Sequence, residues 1–142
     1  MLKRSLLYVF SVVLGLGIYL GEGTKSFDNI RIINADPVII KLSIKWFKTI
    51  IGLSDSNIFI RLHIYPDNDP KECIKYWSDV TKLPSNNFYP PQVDRRENKK
   101  NAKRKKLPFG TAHVIIKSNG NRDYGVKLFR RIKGWIHGVS TQ

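Results

Sequence analysis

The clearest pattern in the chain runs from Asn57 to Tyr65, where Ile58, Ile60, Leu62 and Ile64 alternate with Phe59, Arg61, His63 and Tyr65. Strict alternation predicts a half-buried strand, with an aliphatic core face and a second, solvent-facing face carrying a cation, an imidazole and two aromatics. Phe109 to Ser118 repeats it, with Ala112, Val114 and Ile116 set against Thr111, His113, Ile115 and Lys117, and Asn119-Gly120 turns the chain. Elsewhere the period is helical. Asp36-Pro37 reads as an N-cap followed by proline at the first helical position, opening a helix to about Ile51 with Gly52 as its stop. Ile40, Ile44, Phe47 and Ile51 form its buried stripe, while Lys41, Lys45 and Lys48 form a solvated one. Asp69-Pro70 repeats the cap, and Glu72 completes an Asp-x-x-Glu box. That helix, to about Lys82, buries Cys73, Trp77 and Val80 before Pro84 ends it. A last helix, from about Arg122 to His137, packs through Val126, Phe129, Ile132 and Ile136 and turns Arg130, Arg131 and Lys133 outward.

A short strand is expected over Asn29 to Asn34, as the second arm of a hairpin with Thr24 to Phe27 as first arm and Asp28-Asn29 in the turn. Ser85 to Pro91, rich in Pro and Asn around Phe88 and Tyr89, reads as an irregular connector. The predicted order is helix, short hairpin, helix, strand, helix, basic loop, strand, helix.

The first helix, about 6–22, admits two readings. In Leu14-Gly15-Leu16-Gly17-Ile18-Tyr19-Leu20-Gly21-Glu22-Gly23, Gly17 and Gly21 share a face on which another backbone can approach closely. Leu14 and Ile18 join them in a candidate dimer interface, and Glu22 arrives where the helix ends. The rival is a targeting segment: Met1-Leu2-Lys3-Arg4 forms a positive n-region, Leu6 to Leu20 is nearly all apolar, and Gly21 and Gly23 pass for small cleavage-site residues. An exported chain with one cysteine and a large positive charge would be unusual, which favours an intracellular, unsecreted protein with no stable membrane association.

Charge changes the picture most. The 142 residues form one domain, 1–142, with 25 Lys and Arg against 11 Asp and Glu, a net +14. An excess of this size points to a polyanion, nucleic acid first and anionic membrane second. The lone Cys73 forbids an internal disulfide and reads as a core residue. Basic residues concentrate in a loop, 93–107, that carries Arg95, Arg96, Lys99, Lys100, Lys103, Arg104, Lys105 and Lys106. Such a run suits a solvated loop or a localisation signal, but between ordered elements it suits a phosphate-gripping loop better. The two open strand faces add Phe59, Arg61, His63, Tyr65, His113 and Lys117 as candidate DNA contacts, with Lys25, Arg31 and Arg122 beside them. No internal repeat, glycine-rich phosphate loop, zinc-ligand spacing or Ser-His-Asp arrangement is present.

Gly17-Ile18-Tyr19-Leu20-Gly21-Glu22-Gly23 resembles the core of the LAGLIDADG motif of homing endonucleases. Asn34-Ala35-Asp36-Pro37 resembles the junction into that family's second helix, and Gly110-Thr111-Ala112 to Trp135 its last strand and helix. The resemblance implies an α+β fold, an αββαββα domain here with an extra helix, whose mixed or antiparallel sheet binds DNA. It also implies a homodimer joined through the motif helix. The acid ending each helix would bind divalent metal, so Glu22 takes that role, with backbone carbonyls of Gly21 or Gly23 as further ligands. The family's acid is more often Asp, and its earlier acid is Leu20 here. His63, Lys117 and Arg61 are the candidates for organising water around the metal, and Lys25 for a phosphate near the cut.

The expected activity is Mg²⁺-dependent hydrolysis of double-stranded DNA, giving a staggered break at a long pseudo-palindromic site and serving mobility of an intron or other element. The alternatives are an inactive DNA- or RNA-binding protein of the same fold, acting as a regulator or intron-splicing helper, and an exported or membrane-anchored basic protein.

Overall fold

Two of the helices start where an aspartate side chain takes over the backbone's unpaired donors. The computed structural model describes residues 2–23, 30–96 and 107–141. The first hairpin arm with its turn, Lys25, and the basic run from Lys99 to Lys106 lie outside the described residues. Asp36 accepts a bond from the Val38 N–H and opens α2 (Pro37–Trp46). Asp69 accepts from the Lys71 and Glu72 N–H groups and opens α3 (Pro70–Thr81). Helix α2 passes into a wider π-helical turn, Phe47–Ile51, which Gly52 closes at φ 87°, a left-handed conformation that costs glycine little. Helix α3 stops earlier than Pro84, with Lys82 left-handed at φ 59°.

Helix α1 (Leu2–Glu22) is longer than the expected 6–22, and the strands are β1 (Ile30–Asn34), β2 (Ile58–Ile64), β3 (Gln92–Val93) and β4 (Thr111–Ile116). The sheet order is β1-β4-β2-β3, so the last long strand is central. β4 runs antiparallel to both β1 and β2, and β3 lies parallel to β2. The chain is thus α+β with a four-stranded mixed sheet. β3 was not expected, because two residues in a Pro-rich connector have no periodicity to detect.

Helices and sheet share one core. Ile30 and Ile32 of β1, Ile58 to Ile64 at every second position of β2, and Ala112, Val114 and Ile116 of β4 face Leu16 and Tyr19 of α1, Ile40 and Ile44 of α2, Cys73 and Trp77 of α3, and Leu128, Phe129 and Ile132 of α4 (Val126–Ser140). Trp77 is buried and its indole N–H donates to the Phe109 carbonyl at 2.9 Å, pinning α3 to the start of β4. The last helix packs through Phe129, Ile132 and Ile136 as expected, but not through Val126. A 3₁₀ turn, Arg122–Tyr124, and then Gly125 precede it, so Val126 is exposed and Leu128 joins the core.

One close contact had no counterpart in the sequence reading. A Cβ built on Gly15 would overlap the Trp46 ring, whereas Cβ atoms on Gly17 and Gly21 would meet nothing within 4 Å. Gly15 is therefore the glycine that seats α1 against α2. The Gly17 and Gly21 face looks away from the chain's own body.

Candidate nucleic-acid interface

The helices cover one face of the sheet and leave the other, where the odd-numbered side chains of β2 and β4 emerge. Register puts Phe59 beside Ile115, Arg61 beside His113 and His63 beside Thr111, and on the far side of β4 it puts Arg31 beside Ile115. This brings together most of the described sheet residues expected to contact DNA. Arg31, Phe59, Arg61, His63 and Tyr65 are half-buried, and Lys117 is exposed.

His113 departs from expectation. It is 8% exposed, lying in the central strand with its ring stacked on His63 at 3.7 Å between centroids and 13° between planes. Ile115 is buried in the same way, because the long side chains of β1 and β2 close over a central strand from both sides. His113 thus backs His63 and does not present itself to a ligand. Burial, then His63, Arg31 and Arg61, hold its pKa down to about 4. Burial, then Arg31 and Arg61, also lower His63, with Asp94 opposing. Both rings are neutral at neutral pH.

A histidine kept neutral by the fold binds its proton only below its depressed pKa, whereas the unfolded chain binds one near the ordinary value. Stability is therefore full above that ordinary value and is lost as pH falls toward the folded pKa. From pH 7 to pH 5 the His113 shift alone amounts to a loss of up to about 2 kcal/mol. Urea unfolding at the two pH values should show this loss, and His113→Gln should remove most of it. A wild-type chain equally stable at both would refute the neutral buried ring.

The edges of the face carry further cations. Arg95 and Arg96 are exposed just after β3, but Arg96 is held by Asp94, its Nε at 2.9 Å and an Nη at 2.7 Å from the carboxylate oxygens. Its charge is therefore partly committed within the chain. Arg122 is exposed in the 3₁₀ turn before α4, outside the strands. Tyr89, in the connector, was not expected here at all. It stacks on Phe59, and its ring lies near Arg61 and Lys117. The sequence signal was the Phe88-Tyr89 pair, which an irregular connector had no need of.

Helix α1 ends at the opposite edge. Gly23 bridges antiparallel to Ile32 of β1, so Glu22 stands where α1 meets the sheet. Glu22 is exposed, is the sole acid of α1, and no basic residue shares its last turn. A carboxylate there faces the electronegative end of the helix dipole, an unfavourable position unless a cation joins it. Among the described residues it has no ion-pair partner, and no three His, Cys, Asp or Glu side chains gather as a metal site. Among the described residues, one chain therefore offers one carboxylate there, next in sequence to the Gly21 and Gly23 carbonyls. Mg²⁺ is commonly held by one or two carboxylates with phosphate oxygens and water, so this donor set fits a shared site and not a closed single-chain one.

His63 and Lys117 do not flank Glu22 within one chain. β4 lies between β1 and β2, which sets His63 of β2 two strand spacings, roughly 10 Å, from β1. The Lys117 ammonium leans further away, 5.4 Å from the Phe59 ring centroid and 5.0 Å from that of Tyr89. Both lie on the open face of the sheet.

The candidate dimer face is open. Leu14, Gly17 and Gly21 are exposed and Ile18 half-buried, forming with Phe10, Val13, Glu22 and Ile39 a shallow apolar groove. Toward the N-terminus, Leu6, Leu7, Tyr8, Val9 and Phe10 are each more than half exposed, around the whole helix. Lys3–Glu22 is long and apolar enough to cross a membrane, although Leu16 and Tyr19 near its end are built into the core. Cys73 is buried, and burial, then Asp69 and Glu72, push its thiol up, which keeps it unreactive. The chain matches no family model, no curated protein and no solved structure in the comparisons made.

Proposed function

We propose that this chain is a DNA endonuclease of the LAGLIDADG type, acting as a homodimer with divalent metal. The observation that carries the proposal is Glu22: the sole acid of α1, exposed at the helix's electronegative end, on the rim of an uncovered glycine face and against the edge of a cation-bearing sheet. Close pairing of two α1 helices through Gly17 and Gly21 sets two Glu22 carboxylates side by side between two sheets. Each sheet holds a stretch of duplex through Arg61, Lys117 and Arg31, with the neutral His63 ring able to accept a hydrogen bond. Glu22, with a carbonyl of Gly21 or Gly23, would hold Mg²⁺, which when bound supplies activation of water and charge stabilisation at the scissile phosphate. The products would be a 5′-phosphate and a 3′-hydroxyl if water attacks phosphorus as the 3′ oxygen leaves.

The test is light scattering on the soluble full-length chain, with and without mixed-sequence duplex, followed by selection of cleaved sites from a randomised library with Mg²⁺. A dimer that binds duplex with steep salt dependence and enriches a cut site supports the proposal. A monomer indifferent to DNA refutes it.

A second reading is favoured by the all-round exposure of Leu6 to Phe10. A helix apolar on every side is ordinarily covered on every side, and one partner helix covers only one. In that reading a bilayer covers the N-terminal half, and the chain would sediment with membranes and leave them only in detergent.

A further inference from the structure

The connector after α3 places an aromatic ring between two cations on the open sheet face. Asn87 anchors it, donating through Nδ2 to the carbonyls of Asp55 at 2.6 Å and Ile58 at 2.9 Å. Phe88 bridges parallel to Ile60 and turns toward the core. The Tyr89 N–H donates to the Ile60 carbonyl at 2.8 Å, and after two prolines β3 pairs with His63 and Ile64. The backbone on both sides of Tyr89 is thus fastened along β2, and the tyrosine, one residue on from Phe88, falls on the opposite face.

We propose that Tyr89 is a positioning residue of the nucleic-acid face, whose ring fixes Arg61 and Lys117 in place before DNA arrives. This rests on the DNA-binding reading above. The Arg61 guanidinium carbon lies 4.9 Å from the ring centroid and the Lys117 ammonium 5.0 Å, while Phe59 stacks at 5.4 Å and backs the same ammonium. These distances are within cation–π range. The ring carries the effect, because the Tyr89 hydroxyl is shielded from solvent and has no hydrogen-bond partner among the described residues. It therefore has no route to a ligand in solution.

The consequence is one of entropy. Lys and Arg are the side chains that lose most rotamer freedom on docking to a partner, so a cation already held over a ring loses less when it meets DNA. The two cations come from different elements, Arg61 from β2 and Lys117 just beyond β4. Tyr89, from a third segment, sets their spacing. A fixed spacing of charges favours one register on the duplex over others, so the effect falls on discrimination more than on bulk attraction.

The experiment compares the full-length chain with Tyr89→Leu and Tyr89→Phe by fluorescence anisotropy, on a mixed-sequence duplex and on the duplex selected from a randomised library. Tyr89→Leu should weaken binding to the selected duplex about tenfold and to the mixed duplex less than about twofold. Tyr89→Phe should restore the parent values on both. Lys117→Ala should cost less in the Tyr89→Leu background than in the parent, since the two share one interaction. Equal loss on both duplexes, failure of Phe to rescue, or full additivity with Lys117→Ala would each overturn the inference while leaving the DNA reading intact. A parent chain that binds neither duplex overturns both together.

Discussion

Glu22→Gln is expected to reduce cleavage of a selected site by at least about a thousandfold while leaving binding of that site within about threefold. Gln keeps the length and shape of Glu and removes its charge. Among the described residues nothing pairs with that charge, and Glu22 ends a helix whose dipole opposes it. The variant should therefore unfold at the same temperature as the parent or slightly above it. Losing function at no cost in stability distinguishes a catalytic carboxylate from a structural one. Cleavage would be followed on a supercoiled plasmid carrying the site, with Mg²⁺, and binding by anisotropy in Ca²⁺. A Glu22→Gln chain that cuts at the parent rate would mean that the cation site lies elsewhere. A chain that neither cuts nor folds would mean that Glu22 holds the α1–β1 junction.

Signals confined to one element were legible in the sequence. The Asp36-Pro37 and Asp69-Pro70 starts, the Gly52 stop and the buried stripe of β2 stand as the residues alone predicted. What escaped depends on partners. β4 alternates in sequence like β2, yet five of its six residues are buried, because its central position draws cover over both faces. His113 consequently shifts from a contact residue to the support of His63. Val126 is exposed because it is the first residue of α4, directly after the 3₁₀ turn and Gly125, while Leu128 joins Phe129 and Ile132 in the core. Tyr89 and β3 escaped because their places are fixed by hydrogen bonds to β2, some 30 residues earlier in the chain, and not by any local pattern.

The site is legible in the same proportion. Glu22 at a helix end and Arg61 and Lys117 on one sheet face follow from the sequence. Their separation does not, since it depends on β4 entering between β1 and β2. A reading by sequence groups His63 and Lys117 with Glu22 as one catalytic cluster. Strand order sets His63 two strands from β1 and leaves Glu22 at the α1 terminus, where the proposed function draws the further ligands from a second copy and from DNA.

That requirement makes the glycine face the second decisive test. Gly17→Leu with Gly21→Leu should raise the dimer dissociation constant at least about a hundredfold, because two leucines per helix stand where two backbones must approach. Within one chain the same side chains meet nothing within 4 Å. Gly is also the poorer helix former by up to about 1 kcal/mol at each position, so the isolated chain should become more stable. A weaker dimer made of more stable chains is a combination that general damage to the fold does not produce. Gly15→Ala supplies the contrast. Its methyl group would overlap the Trp46 ring, so it should destabilise the chain itself, with dimerisation lost only as folding is lost. Sedimentation equilibrium distinguishes a 16.4 kDa chain from twice that mass, and thermal unfolding supplies the second axis. If the double leucine variant remained dimeric, the pairing of α1 helices would be wrong, and Glu22 would have no second carboxylate beside it. If it became monomeric yet still cut both strands at the parent rate, the dimer would be irrelevant to the chemistry. Loss of cleavage together with the dimer, in a chain of raised stability, is the outcome that the open glycine face and the solitary acid at its rim jointly require.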